Sequence, residues 1–421
     1  MMGTVYISER IGYPVQDLKR QLRKSERKKR LTAIALITPL LLYLVINFVF
    51  PVGLLLLKSV DNREFNELLK RTNHALKEWN GENLPSDGAY AALVSDLKDA
   101  YRAKNFMVIA KRLNSALPGF QALISRTVRE LPQEDSVSAR EALERIDSRW
   151  GQVNYWRVIK QASGSFTMIY FLQAFDLTVS PEAEIVLVPE TMRVFNKLWL
   201  RTFWMALVIT VVCLVLGYPL AYLLANAPKR VSNILMILLL LPFWTSFLVR
   251  TTAWVVLLQT EGVVNDLGIF LNLWSERIQL IHNRTGVYVA MAHILVPYMV
   301  LPLYSVMSRI SPSHMRAAKS LGANPFVAFW KVYVPQTIQG VGVGCLFVYI
   351  LALGFWVTPA LLGGRGDQMI SYFIAYFTNE TLHWGLATAL GVLLLFFTGI
   401  IFYLFKLIFG LDKLQMGAGV R

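Results

Sequence analysis

The chain has 421 residues, 55% of them hydrophobic, and a formal net charge of +15; several windows of mostly apolar residues exclude an ordinary soluble protein. The charge is not a nucleic-acid signal, because residues 61–196 hold 17 Lys and Arg against 18 Asp and Glu, and the other 25 basic and 9 acidic residues sit mostly in tails and short loops beside the apolar windows. Excess Lys and Arg in such places marks the cytoplasmic side of a membrane protein, and no nucleic-acid partner is expected.

Residues 1–30 are polar and end in the basic runs Arg23-Lys24 and Arg27-Lys28-Lys29-Arg30. The apolar stretch behind them, 31–57, is too long for a secretory signal and no small-residue cleavage site follows. It reads as a first transmembrane helix, ending by residue 58, that holds the tail in the cytoplasm. Residues 59–197 then differ from everything else. Segments 65–79, 90–113 and 138–161 carry apolar residues at helical spacing with charges between them, and Pro85-Ser86-Asp87-Gly88 and Leu117-Pro118-Gly119 mark turns. This predicts a helical soluble insertion on the far side of the membrane, the periplasm of a Gram-negative cell.

Five more spanning windows follow, at 198–225, 234–258, 287–306, 338–362 and 387–409, which puts the tail 411–421 back in the cytoplasm. The predicted fold class is therefore all-α: a membrane protein of six transmembrane helices with a helical insertion. Lys229-Arg230 and the 309–331 loop fall inside, while Glu261, Asp266, Asp367 and Glu380 fall outside; Asp266 and Asp367, in short outer loops, read as solvated charges or, alternatively, as acids that meet a cation at the entrance. Arg277 and Arg284 go against that trend. Cys213 and Cys345 lie inside windows and read as buried thiols; neither they nor the five histidines make a metal-ligand spacing.

Between the fourth and fifth windows lies SPSHMRAAKSLGANPFVAFWKVYVP, residues 311–335. Ser311-Pro312 starts a helix with a serine cap and a proline in the first turn. Met315, Ala317, Ala318 and Leu321 give a small apolar face, and Gly322 supplies a stop. The spacing of Ala317-Ala318, Gly322, Val332 and Pro335 resembles the cytoplasmic coupling loop of ABC importer permeases, Glu-Ala-Ala-x3-Gly-x9-Ile-x-Leu-Pro, with Arg316 where that pattern has Glu. Leu241-Pro242-Phe243-Trp244, Leu301-Pro302-Leu303-Tyr304-Ser305, 316–324 and Thr358-Pro359-Ala360-Leu361-Leu362-Gly363-Gly364 are similar to the spermidine/putrescine permease branch of the type I importers. The likeness covers about half the chain, roughly 198–411; the insertion at 59–197 departs from it.

The resemblance implies a five-helix permease core, 198–410, plus the N-terminal helix, in the bacterial inner membrane. It also implies partners: a dimer of ATPase subunits, a second homologous permease and a periplasmic solute-binding protein. Arg316, Ala317, Ala318, Gly322, Val332 and Pro335 would couple to the ATPase, with Pro335 fixing the return into the next helix. The chain has no G-x4-G-K-[ST] motif, so ATP would be bound by a partner, and no cofactor or enzymatic activity of its own is expected. Cargo would be a polyamine, or alternatively an opine or other amino compound. A secondary transporter normally needs intramembrane acids, which the six windows lack; a scaffold or sensor would not need the spaced loop.

Arg250 is the one charge well inside an apolar window, and a buried membrane charge normally faces a cavity or a partner unless it snorkels to the interface. Trp244, Tyr298 and Trp356 are candidates, with Arg250, for lining the substrate pathway. Their alternative role is packing or the interfacial aromatic belt.

Overall fold

A computed structural model describes residues 15–131 and 138–410; the expectations for the extreme tails, 1–14 and 411–421, lie outside the described residues. Residues up to Leu57 form one unit and the chain from Lys58 onward another. In the first, α1 (Val15–Leu44) runs through Pro39 into a π turn (Val45–Val49) and α2 (Phe50–Leu57). The apolar side chains from Leu31 to Leu57 are largely exposed, as they are in a helix solvated by lipid. Its polar side chains bond back to the helix itself, Thr38 Oγ1 to Ile34 O at 2.7 Å and Asn47 Nδ2 to Tyr43 O at 2.9 Å. Hydrocarbon offers them no other partner.

The insertion comprises α3 (Arg63–Leu68), α4 (Lys70–Ala75), α5 (Asp87–Arg102), α6 (Phe106–Ala116), α7 (Phe120–Glu130), α8 (Ala139–Ile146), α9 (Val153–Gln161) and α10 (Ile169–Gln173). Its core is buried Leu, Ile and aromatic residues, including Tyr90, Phe120, Trp150 and Trp156. The predicted continuous segment 90–113 is two helices, broken at Ala103–Asn105 where Lys104 takes φ +57°. A two-stranded antiparallel hairpin, β1 (Leu177–Val179) with β2 (Ile185–Leu187), adds an element that the helical expectation lacked.

The insertion then feeds α11 (Phe195–Asn226), and Asp176 makes the joint. Its carboxylate accepts from the backbone N–H groups of Val194, Phe195 and Asn196 at 2.8–2.9 Å, satisfying the orphan donors at the start of a 32-residue helix. Asp176 itself is 2% exposed and sits at φ +58°. Nearby, Gly385 lies under the ring of Tyr170, where a Cβ would come within 2.3 Å.

The remaining helices are α12 (Lys229–Leu240), α13 (Phe247–Leu257), α14 (Val263–Phe270), α15 (Arg284–Met307), α16 (Pro312–Ser320), α17 (Pro325–Ala328), α18 (Val334–Gly354), α19 (Val357–Leu362), α20 (Ile370–Asn379) and α21 (Trp384–Phe409). The centre of the membrane part is α11, α15 and α18. Gly217 and Gly344 let backbones close in: a Cβ at Gly344 would meet Met299 Sδ at 2.8 Å and Met299 O at 3.0 Å. Small residues at such crossings replace the hydrophobic drive that lipid cannot supply. Cys213 and Cys345 are buried free thiols within this centre.

Two spans differ from expectation. Among the described residues, five helices are long and apolar enough to cross a membrane, and a sixth span exists only if a bent pair is one span. That pair is 229–244 with 247–257, bent by 98°. Pro242 lies in a 3-10 turn (Leu241–Trp244), and Ser246 caps α13 by accepting from Val249 N at 3.2 Å. The expected straight helix at 234–258 is therefore an elbow, because a proline followed by a capping serine ends one helix and begins another. The expected fifth span, 338–362, instead begins at Pro325 and ends at Gly354, with α19 a separate short helix.

Candidate coupling loop and membrane pathway

Ser311 caps α16, its hydroxyl accepting from Ser313 N at 3.3 Å, and Pro312 occupies the first turn. At the other end Gly322 takes φ +87°, and the N–H groups of Gly322 and Ala323 return to Lys319 O and Ala318 O, each at 3.0 Å. This is a Schellman stop, which needs the left-handed geometry that glycine adopts without strain. Asn324 then caps the next helix, accepting from Val327 N at 2.7 Å.

Behind this tip the chain is held by aromatics. Phe329, in a π turn (Phe329–Tyr333), stacks on Tyr333 and meets Tyr222 of α11 edge-on at 5.6 Å. Asn226 Nδ2 donates to Tyr333 OH at 3.3 Å, Tyr218 OH pairs with Thr337 Oγ1 at 3.0 Å, and His314 Nδ1 pairs with Gln336 Oε1 at 2.9 Å. Pro335 does not fix the return from a loop into a helix, as the resemblance implies; it lies ten residues into a helical run that already begins at Pro325. The π turn immediately precedes it, a common accommodation where a proline removes a backbone donor.

Arg316 and Ala317 are exposed, Ala318 and Val332 half-buried, and Gly322 and Pro335 exposed. Arg316 has no ion pair among the described residues. A Cβ on Gly322 would find nothing within 4 Å. Around it three large apolar side chains stand out of the chain: Leu321 at 88% exposure, Phe326 at 72% and Trp330 at 54%. The spaced pattern in the sequence did not mark Phe326 and Trp330.

The second group of candidates surrounds the elbow. Trp244 is 82% exposed, so it does not pack inside this chain. Tyr298 meets Phe243 at 5.2 Å, and Trp356 adjoins Phe355, which meets Phe247 edge-on at 4.7 Å. Of the four predicted residues, Trp244 and Arg250 belong to the elbow itself and Tyr298 packs on it through Phe243, while Trp356 adjoins it through its neighbour Phe355. Arg250, on α13, is half-buried with its Nε buried and without a hydrogen-bond partner. One turn on, Trp254 Nε1 donates to His293 Nδ1 at 3.1 Å, and buried Thr251 and Thr358 join their hydroxyls at 3.2 Å. His293 was legible as an intramembrane histidine; the threonine pair, 107 residues apart, was not.

At the insertion end of α15 the two arginines that opposed the charge trend find acids. Arg284 Nε donates to Asp367 at 2.9 Å, and Arg277 to Asp266 at 2.9 Å. Asp367 is not the solvated charge expected: it is 9% exposed and also accepts from Gly364 N at 3.1 Å, while Arg201 donates to the adjacent Gln368 O.

These features describe a multi-helix membrane protein with an exposed, capped loop at one end and a broken span beside its helical centre. Residues 214–410 match the family described as binding-protein-dependent transport system inner membrane component. The chain is 31% identical over 211 residues to the spermidine/putrescine transport system permease protein PotB of Salmonella typhimurium, covering 50% of this chain and 74% of that one. It is 32% identical over 206 residues to the PotB of Escherichia coli, covering 49% and 75%. The inner membrane ABC transporter permease protein YdcU of Escherichia coli is 29% identical over 218 residues, covering 49% and 68%. Among solved structures, a bacterial ABC transporter involved in alginate import aligns with a TM-score of 0.42 at 18% identity, covering 51% of this chain and 78% of that one. The chain belongs to the binding-protein-dependent inner membrane component family: it is a permease subunit of an ABC importer, resident in the inner membrane.

Proposed function

We propose that this permease passes a polyamine such as spermidine or putrescine, delivered by a periplasmic solute-binding protein. In this reading the loop 311–335 docks on one subunit of an ATPase dimer, a second homologous permease completes the pathway, and ATP is bound by the ATPase alone. The basic tail and the loop lie in the cytoplasm and the insertion 59–197 in the periplasm. The chain carries out no chemistry on its cargo.

The observation that carries the docking reading is the bare tip of the loop: a helix capped at both ends, with Leu321, Phe326 and Trp330 exposed around a glycine that nothing covers. Leu321 lies outside the spanning segment and Phe326 and Trp330 stand at the start of the one that begins at Pro325, and exposed apolar groups clustered at that end suit a partner surface. Arg316 supplies a cation where the family pattern has an acid, so the partner's groove would offer a complementary carboxylate or none. The polyamine reading is supported by the printed names of the PotB relatives.

A second reading is favoured by Arg250. A guanidinium with an unpaired nitrogen beside the elbow repels a polycation and attracts a carboxylate, as an opine or another amino acid derivative would supply. In both readings Trp244, Tyr298 and Trp356 stand at or near the path.

The test is co-purification of the full chain with the products of neighbouring genes, wild type against Gly322→Trp, followed by uptake of labelled putrescine and of a labelled opine. An ATPase and a second permease accompany the wild type, the ATPase is lost in the variant, and putrescine is taken up. If no ATPase associates with the wild type, the docking reading fails. If Arg250→Gln abolishes uptake of the carboxylated compound and putrescine never enters, the cargo is the second one.

A further inference from the structure

A cavity of about 410 Å³ lies where α3 and α6 of the insertion face the turn before α21. Its lining includes four cations, Lys58, Lys104, Lys111 and Arg112, against two acids, Asp61 and Glu64. Asp61 is already held by Arg63, through contacts of 3.0 and 3.1 Å. Lys111 donates to Thr381 O, and neither Lys104 nor Arg112 has a carboxylate partner among the described residues.

Arg112 is the unusual member. It is 6% exposed, lies between the rings of Phe65 and Tyr170 at 5.7 and 5.9 Å, and donates to Asn62 Oδ1 at 2.8 Å and Thr167 Oγ1 at 3.1 Å. Its remaining nitrogen, Nη1, is buried with no partner. Burial without a counterion is costly for a guanidinium, which stays charged. Asn105, which also lines the cavity, carries a second unmatched atom, the acceptor Oδ1. The cavity thus leaves an excess of positive charge, an unused cationic donor and an unused acceptor.

Its depth is informative as well. Trp384 and Gly385, in the lining, begin the apolar spanning helix α21. The cavity therefore lies at the level where this spanning helix leaves the hydrocarbon, the level of lipid headgroups.

We propose that this cavity binds a glycerophosphate group, its phosphate set among Lys58, Lys104 and Arg112 and its hydroxyl donating to Asn105. Phosphate takes several charge-assisted hydrogen bonds at once, and a guanidinium that is already fixed by two other bonds loses little freedom on making a third. The group belongs either to an anionic phospholipid of the surrounding leaflet or to a soluble glycerol phosphate.

Binding is measured on the full-length chain, first as retention of phosphatidylglycerol by native mass spectrometry after reconstitution into phosphatidylcholine discs containing some phosphatidylglycerol. A second arm titrates sn-glycerol 3-phosphate into the detergent-solubilised chain by calorimetry. The variants are Arg112→Gln and Lys104→Glu, with the exposed Lys77→Glu as a control for net charge. Wild type and Lys77→Glu bind alike, and each site variant weakens binding by about tenfold or more, the loss expected for one charge-assisted contact. Retained lipid without calorimetric binding identifies the lipid as source; calorimetric binding identifies the soluble ester. Should Arg112→Gln fail to give a single gel-filtration peak, Lys104→Glu decides. The proposal is overturned if wild type binds neither probe, or if Lys104→Glu weakens binding no more than Lys77→Glu does.

Discussion

The two ends of the permease core are built on opposite plans. At the insertion end, the cavity around Arg112 aside, charges and polar groups are paired inside the protein: Asp176 caps α11, Arg284 meets Asp367, and Trp199 Nε1 donates to Ala174 O at 2.9 Å. At the loop end the polar bonds and stacked aromatics stop at the base, and the tip beyond them is bare. A paired, buried network is costly to disturb and holds one geometry; an uncovered apolar tip costs nothing to disturb until a partner covers it. The insertion end carries its own stability, and the loop end leaves its apolar tip uncovered within this chain.

That contrast breaks first at Asp176. Asp176→Ala strands three backbone donors at the head of α11, at about 1 kcal/mol or more each when buried, so a loss of about 3 kcal/mol is expected. The thermal unfolding midpoint of the purified chain should fall by several degrees, with transport lost in proportion to folded protein. An unchanged midpoint would mean that water replaces the carboxylate and that the insertion end is not self-sufficient. Asp367→Ala is the milder version, removing the partner of Arg284 and of Gly364 N–H, and about 2 kcal/mol is expected because Arg284 is partly exposed and can rehydrate.

Gly322 sharpens the other side. Both Gly322→Ala and Gly322→Trp meet open space, so both should cost only about 1 kcal/mol, the penalty for a side chain at φ +87°. The two variants should melt together, yet only the tryptophan should abolish ATPase association and uptake. If alanine is equally damaging to uptake, then the backbone stop matters and not the surface it presents.

Much of this was legible in the sequence, for identifiable reasons. Apolar runs of spanning length fixed the class of membrane protein, and the Ser-Pro start and Gly322 stop of α16 followed from local backbone chemistry. What escaped was non-local or depended on a turn. Arg284 and Asp367 are 83 residues apart, and a polar residue bound for a buried pair looks in sequence like a solvated one. Pro242 is tolerated in many membrane helices, so the 98° bend required Ser246 to be recognised as a cap. The early start of the fifth span was hidden because 325–335 is an apolar run interrupted by Lys331 and bracketed by Pro325 and Pro335, and reads as loop until Asn324 is seen capping it.

The smallest expected effect lies on the seam between insertion and core, at His383. As the cap of α21 its Nδ1 accepts from Leu386 N at 3.4 Å, which places the ring proton on Nε2, 3.0 Å from Ser115 Oγ. The serine hydroxyl in turn donates to Lys111 O at 3.0 Å. Burial, together with the nearby cations of Lys111 and Arg112, pushes the imidazole down to about 4. With the folded value below the ordinary one, the native state binds fewer protons than the unfolded chain between about pH 6.5 and 4. The stability contributed by this neutral ring is therefore complete above pH 6.5 and is lost as pH falls toward 4. Because the side chain is only partly enclosed, the loss by about pH 5 is on the order of 1 kcal/mol. His383→Gln keeps hydrogen-bonding capacity without a titrating group, so its melting temperature should vary less between neutral pH and about pH 5 than that of the wild type. Equal slopes would mean that the ring gains water on protonation, and that the seam at the insertion end is as open as the tip of the loop.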